Sequence, residues 1–194
     1  MGDNGNSKTW NKIVDAAQDL FYRQGYQATV VNQIVEEAGV SKPTFYAHFP
    51  SKEDLCITYL QERRESTLEA FESGMAATEN LYDRFMLPIQ ILKEHMAESN
   101  YRGCSHYNML IEITDGESPV VKEVRRFNDA FREMLRKVTL ELLESDEKYN
   151  TLNPAQVADA YYLIFCGAIM FSQEYRATWP LDLAAQQVAA LLRP

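Results

Sequence analysis

Three histidines, three cysteines and 28 carboxylates are the side chains of this 194-residue chain that could carry acid–base, nucleophilic or metal chemistry, and their spacing forms none of the constellations such chemistry needs. His95 and His106 are not an i, i+4 pair, and neither H-E-x-x-H nor G-x-S-x-G occurs. Cys56, Cys104 and Cys166 are odd in number, widely spaced and without a C-x-x-C, which suggests neither a disulfide framework nor a zinc ribbon. Glu94, Glu98 and Glu112 read as solvated positions on helical outer faces, with contact to a cationic ligand as their less common role. No catalytic residue, metal ligand or cofactor is therefore expected. A different pattern between residues 29 and 52 does point to chemistry. Lys42, Thr44 and Ala47 share the face of a short helical segment away from Phe45 and Phe49, and Thr29, Tyr46, His48 and Lys52 surround it with hydroxyl, imidazole and ammonium donors. Small or short polar side chains on one helix face let that helix enter a DNA major groove, while flanking donors bind phosphate and set register.

The elements that must position these groups follow from periodicity and caps. Ile13, Ala16, Ala17, Leu20 and Phe21 fall on one face of an amphipathic helix that Gly25 stops. Thr29 can cap a short second helix with Val31, Ile34, Val35 and Ala38 inward, ending at Gly39. Ser41 caps a third helix whose first turn holds Lys42 and Pro43, and Phe45 and Phe49 anchor it inward. Pro50 ends that helix, and Ser51-Lys52-Glu53-Asp54 is a start signal for a long fourth helix ending near Gly74. The second and third helices, joined at Gly39 and Val40, make a helix-turn-helix. Further helices are expected at about 81–98, 103–114, 119–144, 154–175 and 181–192, with breaks at Asp115-Gly116, 145–153 and Trp179-Pro180, and with no competing strand. The fold class is thus all-α, about nine helices: an N-terminal three-helix module (1–52) joined to a larger helical bundle (53–194).

The run Ile13-Val14-Asp15-Ala16-Ala17, Leu20-Phe21, Gly25-Tyr26, Ala28-Thr29, Ile34, Ala38-Gly39-Val40-Ser41-Lys42, Tyr46, His48-Phe49 and Ser51-Lys52-Glu53-Asp54-Leu55 closely resembles the N-terminal domain of TetR-family transcriptional regulators. The resemblance covers about the first 55 residues in register and combines helix faces, turn and caps. It implies an all-helical homodimer that binds a palindromic double-stranded DNA operator through its N-terminal domain and senses a small-molecule effector through its C-terminal domain, acting as a repressor. The family's phosphate-contacting positions fall on Thr29, Tyr46 and Lys52, with His48 beside them, and its base-reading positions on Lys42, Pro43, Thr44 and Ala47. Pro43, Val30, Asn32 and Ala47 depart from the commoner residues, which bears on the operator sequence rather than the fold.

Charge agrees with this division. The formal net charge is -9, yet the first 52 residues are formally neutral and the whole excess lies on the remainder, so an anionic partner should meet the N-terminal end. The polar start, Met1 to Ser7, reads as a loose tail with no signal peptide, and the cysteine usage suits a reducing cytoplasm. The apolar run Ala160 to Phe171 is shorter than the roughly 20 residues a bilayer needs, so no membrane partner is expected. Tyr82, Phe85, Ile89, Met109, Ile113, Phe127, Phe131, Tyr162 and Phe165 are spaced to point inward, either lining an apolar ligand pocket or filling a solid core. The 160–171 run is apolar around its circumference, which calls for burial on every side. Tyr161, Ile164, Gly167, Ala168 and Phe171, extended by Val188, Leu191 and Leu192, are accordingly expected at a two-fold dimer interface. Two other functions compete: a redox or electrophile sensor acting through Cys104, and a helical small-molecule-binding protein without DNA binding.

Overall fold

A computed structural model describes residues 4–193, with side chains from Lys8 onward. Among the described residues are nine α-helices and one short 3-10 turn, Glu147–Tyr149. The helices are α1 (Asn4–Gln24), α2 (Val31–Glu37), α3 (Lys42–His48), α4 (Lys52–Ala76), α5 (Leu81–Glu98), α6 (Ser105–Glu112), α7 (Pro119–Glu144), α8 (Pro154–Tyr175) and α9 (Trp179–Ala190). The all-α expectation holds.

Local signals set most boundaries. Asn80 and Asn153 start α5 and α8 by accepting the N–H groups of Asp83 and Gln156, at 3.0 and 3.1 Å, the short-range bond that satisfies an otherwise orphaned helix donor. Ser51 does the same for Asp54 at 3.0 Å while its hydroxyl donates to the Asp54 carboxylate at 2.6 Å. Three expectations are corrected. Positions 4–7, read as part of a loose tail, already belong to α1, whereas Met1 to Asp3 lie outside the described residues. Trp179-Pro180 is the first turn of α9 and no break, since a proline there has no intrahelical donor to lose. The residue that starts α2 is Val30, not Thr29.

The chain divides into two compact units. Unit one takes the residues up to Glu65 together with Ser105–Arg126; unit two takes Ser66–Cys104 and the residues from Phe127 on.

In unit one, Ile13, Ala17 and Phe21 of α1 meet Ile34 of α2, Phe45 of α3 and Leu55 and Leu60 of α4, all fully buried. Each such large apolar side chain contributes about 1.5–3 kcal/mol on burial. Met109 of α6 and Val120 and Val124 of α7 complete this core. Polar ties join the same helices: His106 bonds the Leu60 carbonyl at 3.1 Å, and the fully buried Glu123 carboxylate accepts from Arg64 at 2.5 Å and Arg126 at 2.9 Å.

Unit two is built on aromatic rings. Phe131 lies 4.7 Å from Phe165, 5.2 Å from Phe71, 6.1 Å from Phe127 and 6.2 Å from Tyr162, centroid to centroid. Pro88 interrupts the hydrogen-bond ladder of α5, and the buried Tyr161 hydroxyl accepts the Ile89 N–H there at 3.2 Å. The apolar run expected to be too short for a bilayer sits in a helix of 22 residues, long and apolar enough to cross one by length and composition. Seven of its residues are buried within unit two, the pattern of a core helix packed on α5 and α9.

Candidate nucleic-acid interface

The helix-turn-helix is set up by two local devices. Gly39, at φ +63, makes the turn between α2 and α3 where a side chain would be strained. Ser41 then starts α3: its Oγ accepts the Thr44 N–H at 3.2 Å and lies 2.7 Å from the Thr44 hydroxyl. With Phe45 and Phe49 buried, α3 turns Lys42, Pro43, Tyr46 and Ala47 to solvent, leaving Thr44 and His48 half-buried. Tyr46 is 51% exposed although its ring packs edge-on against Phe45 at 5.1 Å, so its hydroxyl end is free to meet a partner. One exposed face of a seven-residue helix therefore gathers six of the eight expected DNA-binding residues.

The other two are placed differently. Thr29 is completely buried; its hydroxyl donates to the Gly25 carbonyl at 2.6 Å and accepts from Gln24 Nε2 at 3.1 Å. It closes the turn between α1 and α2 and cannot reach a phosphate. Lys52 donates to the carbonyls of both Tyr26 and Thr29, each at 2.8 Å, and its Nζ sits 4.1 Å from the centroid of the Tyr26 ring. Burial pulls its ammonium below the usual lysine value, and burial pushes the Tyr26 phenol up to about 12. Lys52 is thus a staple on the turn rather than a free phosphate ligand. Both residues carry a hydrogen-bonding role within the fold that sequence register alone does not reveal.

The expected ligand-binding residues also separate. Phe85, Ile89, Phe127, Phe131 and Phe165 are buried in unit two, with Tyr162 half-buried among them. Met109, by contrast, is enclosed in the core of unit one, 3.8 Å from the Cys56 sulfur, and Ile113 packs against that same core. Tyr82 is 43% exposed. These three do not join the aromatic cluster. Of the expected dimer residues, Tyr161, Ala168, Val188 and Leu192 are buried within the protomer, filling its own core. Phe171 is 51% exposed, Ile164, Gly167 and Leu191 are half-buried, and open space surrounds the Cβ position of Gly167. Leu163 and Met170, at 70% and 61% exposed, complete an apolar strip on α8.

Cys56 is inert by geometry, its thiol pushed up by burial, while Cys104 and Cys166 are half-buried. Among the described residues, no group of three or more His, Cys, Asp or Glu side chains could hold a metal ion.

Comparison with known proteins agrees with this geometry. The model of the N-terminal domain of bacterial regulatory proteins of the tetR family matches residues 13–57, the stretch that carries α2, α3 and the stapled turn. The HTH-type transcriptional repressor DhaR of Mycobacterium sp. (strain GP1) is 27% identical over 94% of this chain and 91% of its own. A TetR transcriptional regulator from Chloroflexus aurantiacus superposes with a TM-score of 0.83 at 24% identity, covering 96% of this chain and 94% of that one. The regulator FadR from Bacillus subtilis, solved in complex with stearoyl-CoA, superposes with a TM-score of 0.75 at 18% identity, covering 94% and 97%. Other curated relatives are spanned over only 55% and 36% of their length. The chain belongs to the TetR family of transcriptional regulators. Its relatives and fold are those of DNA-binding regulators, which are not enzymes.

Proposed function

We propose that this chain is a cytoplasmic homodimeric repressor that binds a palindromic operator through α3 and is released by a small-molecule effector bound in unit two. Residues 1–52 would then serve DNA binding, and residues 53–194 effector binding and dimerisation. The observation that carries the reading is the outward face of α3. Lys42 and Pro43 at its start, Thr44 beside its cap and Tyr46 and Ala47 along one side are presented on a helix anchored from behind by Phe45 and Phe49. Ala47 leaves room for close approach and apolar contact with a thymine methyl, Lys42 and Thr44 can meet base edges, and Tyr46 and His48 can donate to phosphate.

The exposed strip of Leu163, Gly167, Met170 and Phe171 supports a second copy of this chain as partner, because a contiguous apolar helix face favours burial. A two-fold dimer would present two α3 helices to successive major grooves about 34–36 Å apart. The aromatic cluster around Phe131 supports an effector with a large apolar portion. FadR, solved with stearoyl-CoA, is one structural relative with an acyl ligand. The family match favours this reading over a redox sensor at Cys104 and over a carrier without DNA binding.

Selection of duplexes from a randomised double-stranded library by the purified protein tests the function. Enrichment of an inverted repeat is the expected result; binding that shows no sequence preference at any salt concentration would overturn it.

A further inference from the structure

The turn between α1 and α2 is closed by a residue 85 positions further along the chain. Glu112, the last residue of α6, accepts the Gln27 N–H on Oε2 at 2.7 Å, and the Gln27 carboxamide returns a longer bond to the Glu112 carbonyl at 3.4 Å. Gly25 stands beside the same carboxylate at φ +94, and a Cβ there would collide with Glu112 Oε1. Glycine thus serves two needs at once, the left-handed backbone and the space the carboxylate fills.

We propose that Glu112 is a positioning residue for DNA binding, acting through the backbone of residues 25–29 to hold α2 and α3 in register; this rests on the DNA-binding reading above. Glu112, Lys52 and Thr29 together engage the polar groups of the turn. Thr29 Oγ1 donates to the Gly25 carbonyl, Lys52 to the carbonyls of Tyr26 and Thr29, and the Gln27 N–H goes to Glu112. Buried or half-buried backbone groups need such partners, so the turn has one well-satisfied geometry. The turn runs directly into Val30, whose N–H donates to Gln33 Oε1 at 3.0 Å at the start of α2. Ile34 of α2 lies in one core with Phe45 of α3. A displaced turn therefore moves α2, and α3 with it.

Helix electrostatics show that Glu112 is not there for α6 itself. A carboxylate on a helix's last residue faces the negative end of that helix's dipole, which is unfavourable for the helix alone. Its compensation comes from the Gln27 N–H and from Lys52, whose ammonium feels the Glu112 charge.

The test uses the full chain and the duplex that the wild type selects from a randomised library. Glu112→Ala is expected to weaken binding about tenfold, as losing a hydrogen bond to a charged group does, with far-UV circular dichroism unchanged and faster hydrogen exchange at the Gln27 amide. Glu112→Gln keeps an acceptor oxygen at the same reach and should bind within about threefold of wild type. Glu112→Asp keeps the charge but falls a methylene short, and should be as weak as the alanine variant. A shared loss of thermal stability in all three variants, with equal affinity per folded molecule, would overturn the proposal. So would Glu112→Asp binding like wild type, or Glu112→Gln binding as weakly as Glu112→Ala. A wild type that selects no duplex overturns the DNA-binding reading itself, and this one with it.

Discussion

Lys52 and Tyr26 are joined twice: the lysine ammonium donates to the tyrosine carbonyl at 2.8 Å and lies 4.1 Å from the centroid of its ring. The lysine that opens α4 is therefore spent largely on the turn between α1 and α2, and what it does for DNA binding it does by shaping that turn.

Lys52→Ala should lower thermal stability by about 1.5 kcal/mol, for lost hydrogen bonds to a charged donor that is partly exposed. It should weaken binding to all duplexes together while leaving the slope of log affinity against log salt close to wild type. Lys42→Ala, which removes an exposed cation from α3, should instead lower that slope by about 0.9 for each protomer contacting a phosphate. Fluorescence anisotropy over a salt series separates the two; a flattened slope in Lys52→Ala would return that residue to the phosphate backbone.

His106 makes stability depend on acid. Burial holds its imidazole down at about 3 despite the Leu60 carbonyl, against an ordinary value of 6.5. The folded state thus resists a proton that the unfolded chain accepts. Its contribution to stability is complete above pH 6.5 and is lost as pH falls from there toward about 3, at about 1.4 kcal/mol per unit. Chemical denaturation between pH 7 and pH 5 should show this loss for the wild type and a smaller one for His106→Gln. Equal pH dependence in both would mean that the imidazole takes up its proton in the folded state.

Glu123 is fully buried between Arg64 and Arg126. Glu123→Ala leaves the partly buried Arg64 guanidinium without its closest anion, and should cost about 3 kcal/mol in urea denaturation. A loss under about 1 kcal/mol would show that water replaces the carboxylate without penalty.

Gly167 has open space around its Cβ position and sits in the exposed strip of α8. Gly167→Arg should therefore leave the protomer folded, because nothing within it is displaced, and should yield monomers with lost operator affinity. Sedimentation velocity with circular dichroism checks both halves. A folded dimer would move the interface elsewhere, and an unfolded chain would place Gly167 in the protomer core.

Much of this architecture is legible in the chain because its determinants act over four residues or fewer. Asn80, Asn153 and Ser51 reach N–H groups three residues on, and the 3.6-residue period of Ile13, Ala17 and Phe21 or of Phe45 and Phe49 marks the inward face without reference to any neighbour. The outward face of α3, with Lys42, Tyr46 and Ala47, follows by subtraction. Tertiary structure decided what those inward faces meet. Met109 and Ile113 carry the same periodic signature as Phe131 and Phe165, yet they pack in unit one and not in unit two, because periodicity reports that a face is apolar and not which body will cover it. The polar residues were harder still. Thr29, Lys52, Glu112 and Glu123 look on paper like ordinary surface groups, and their roles come from partners 4, 23, 85 and 59 residues away. A hydrogen bond between distant segments leaves no local pattern, since its geometry exists only after the hydrophobic faces have brought the two backbones together.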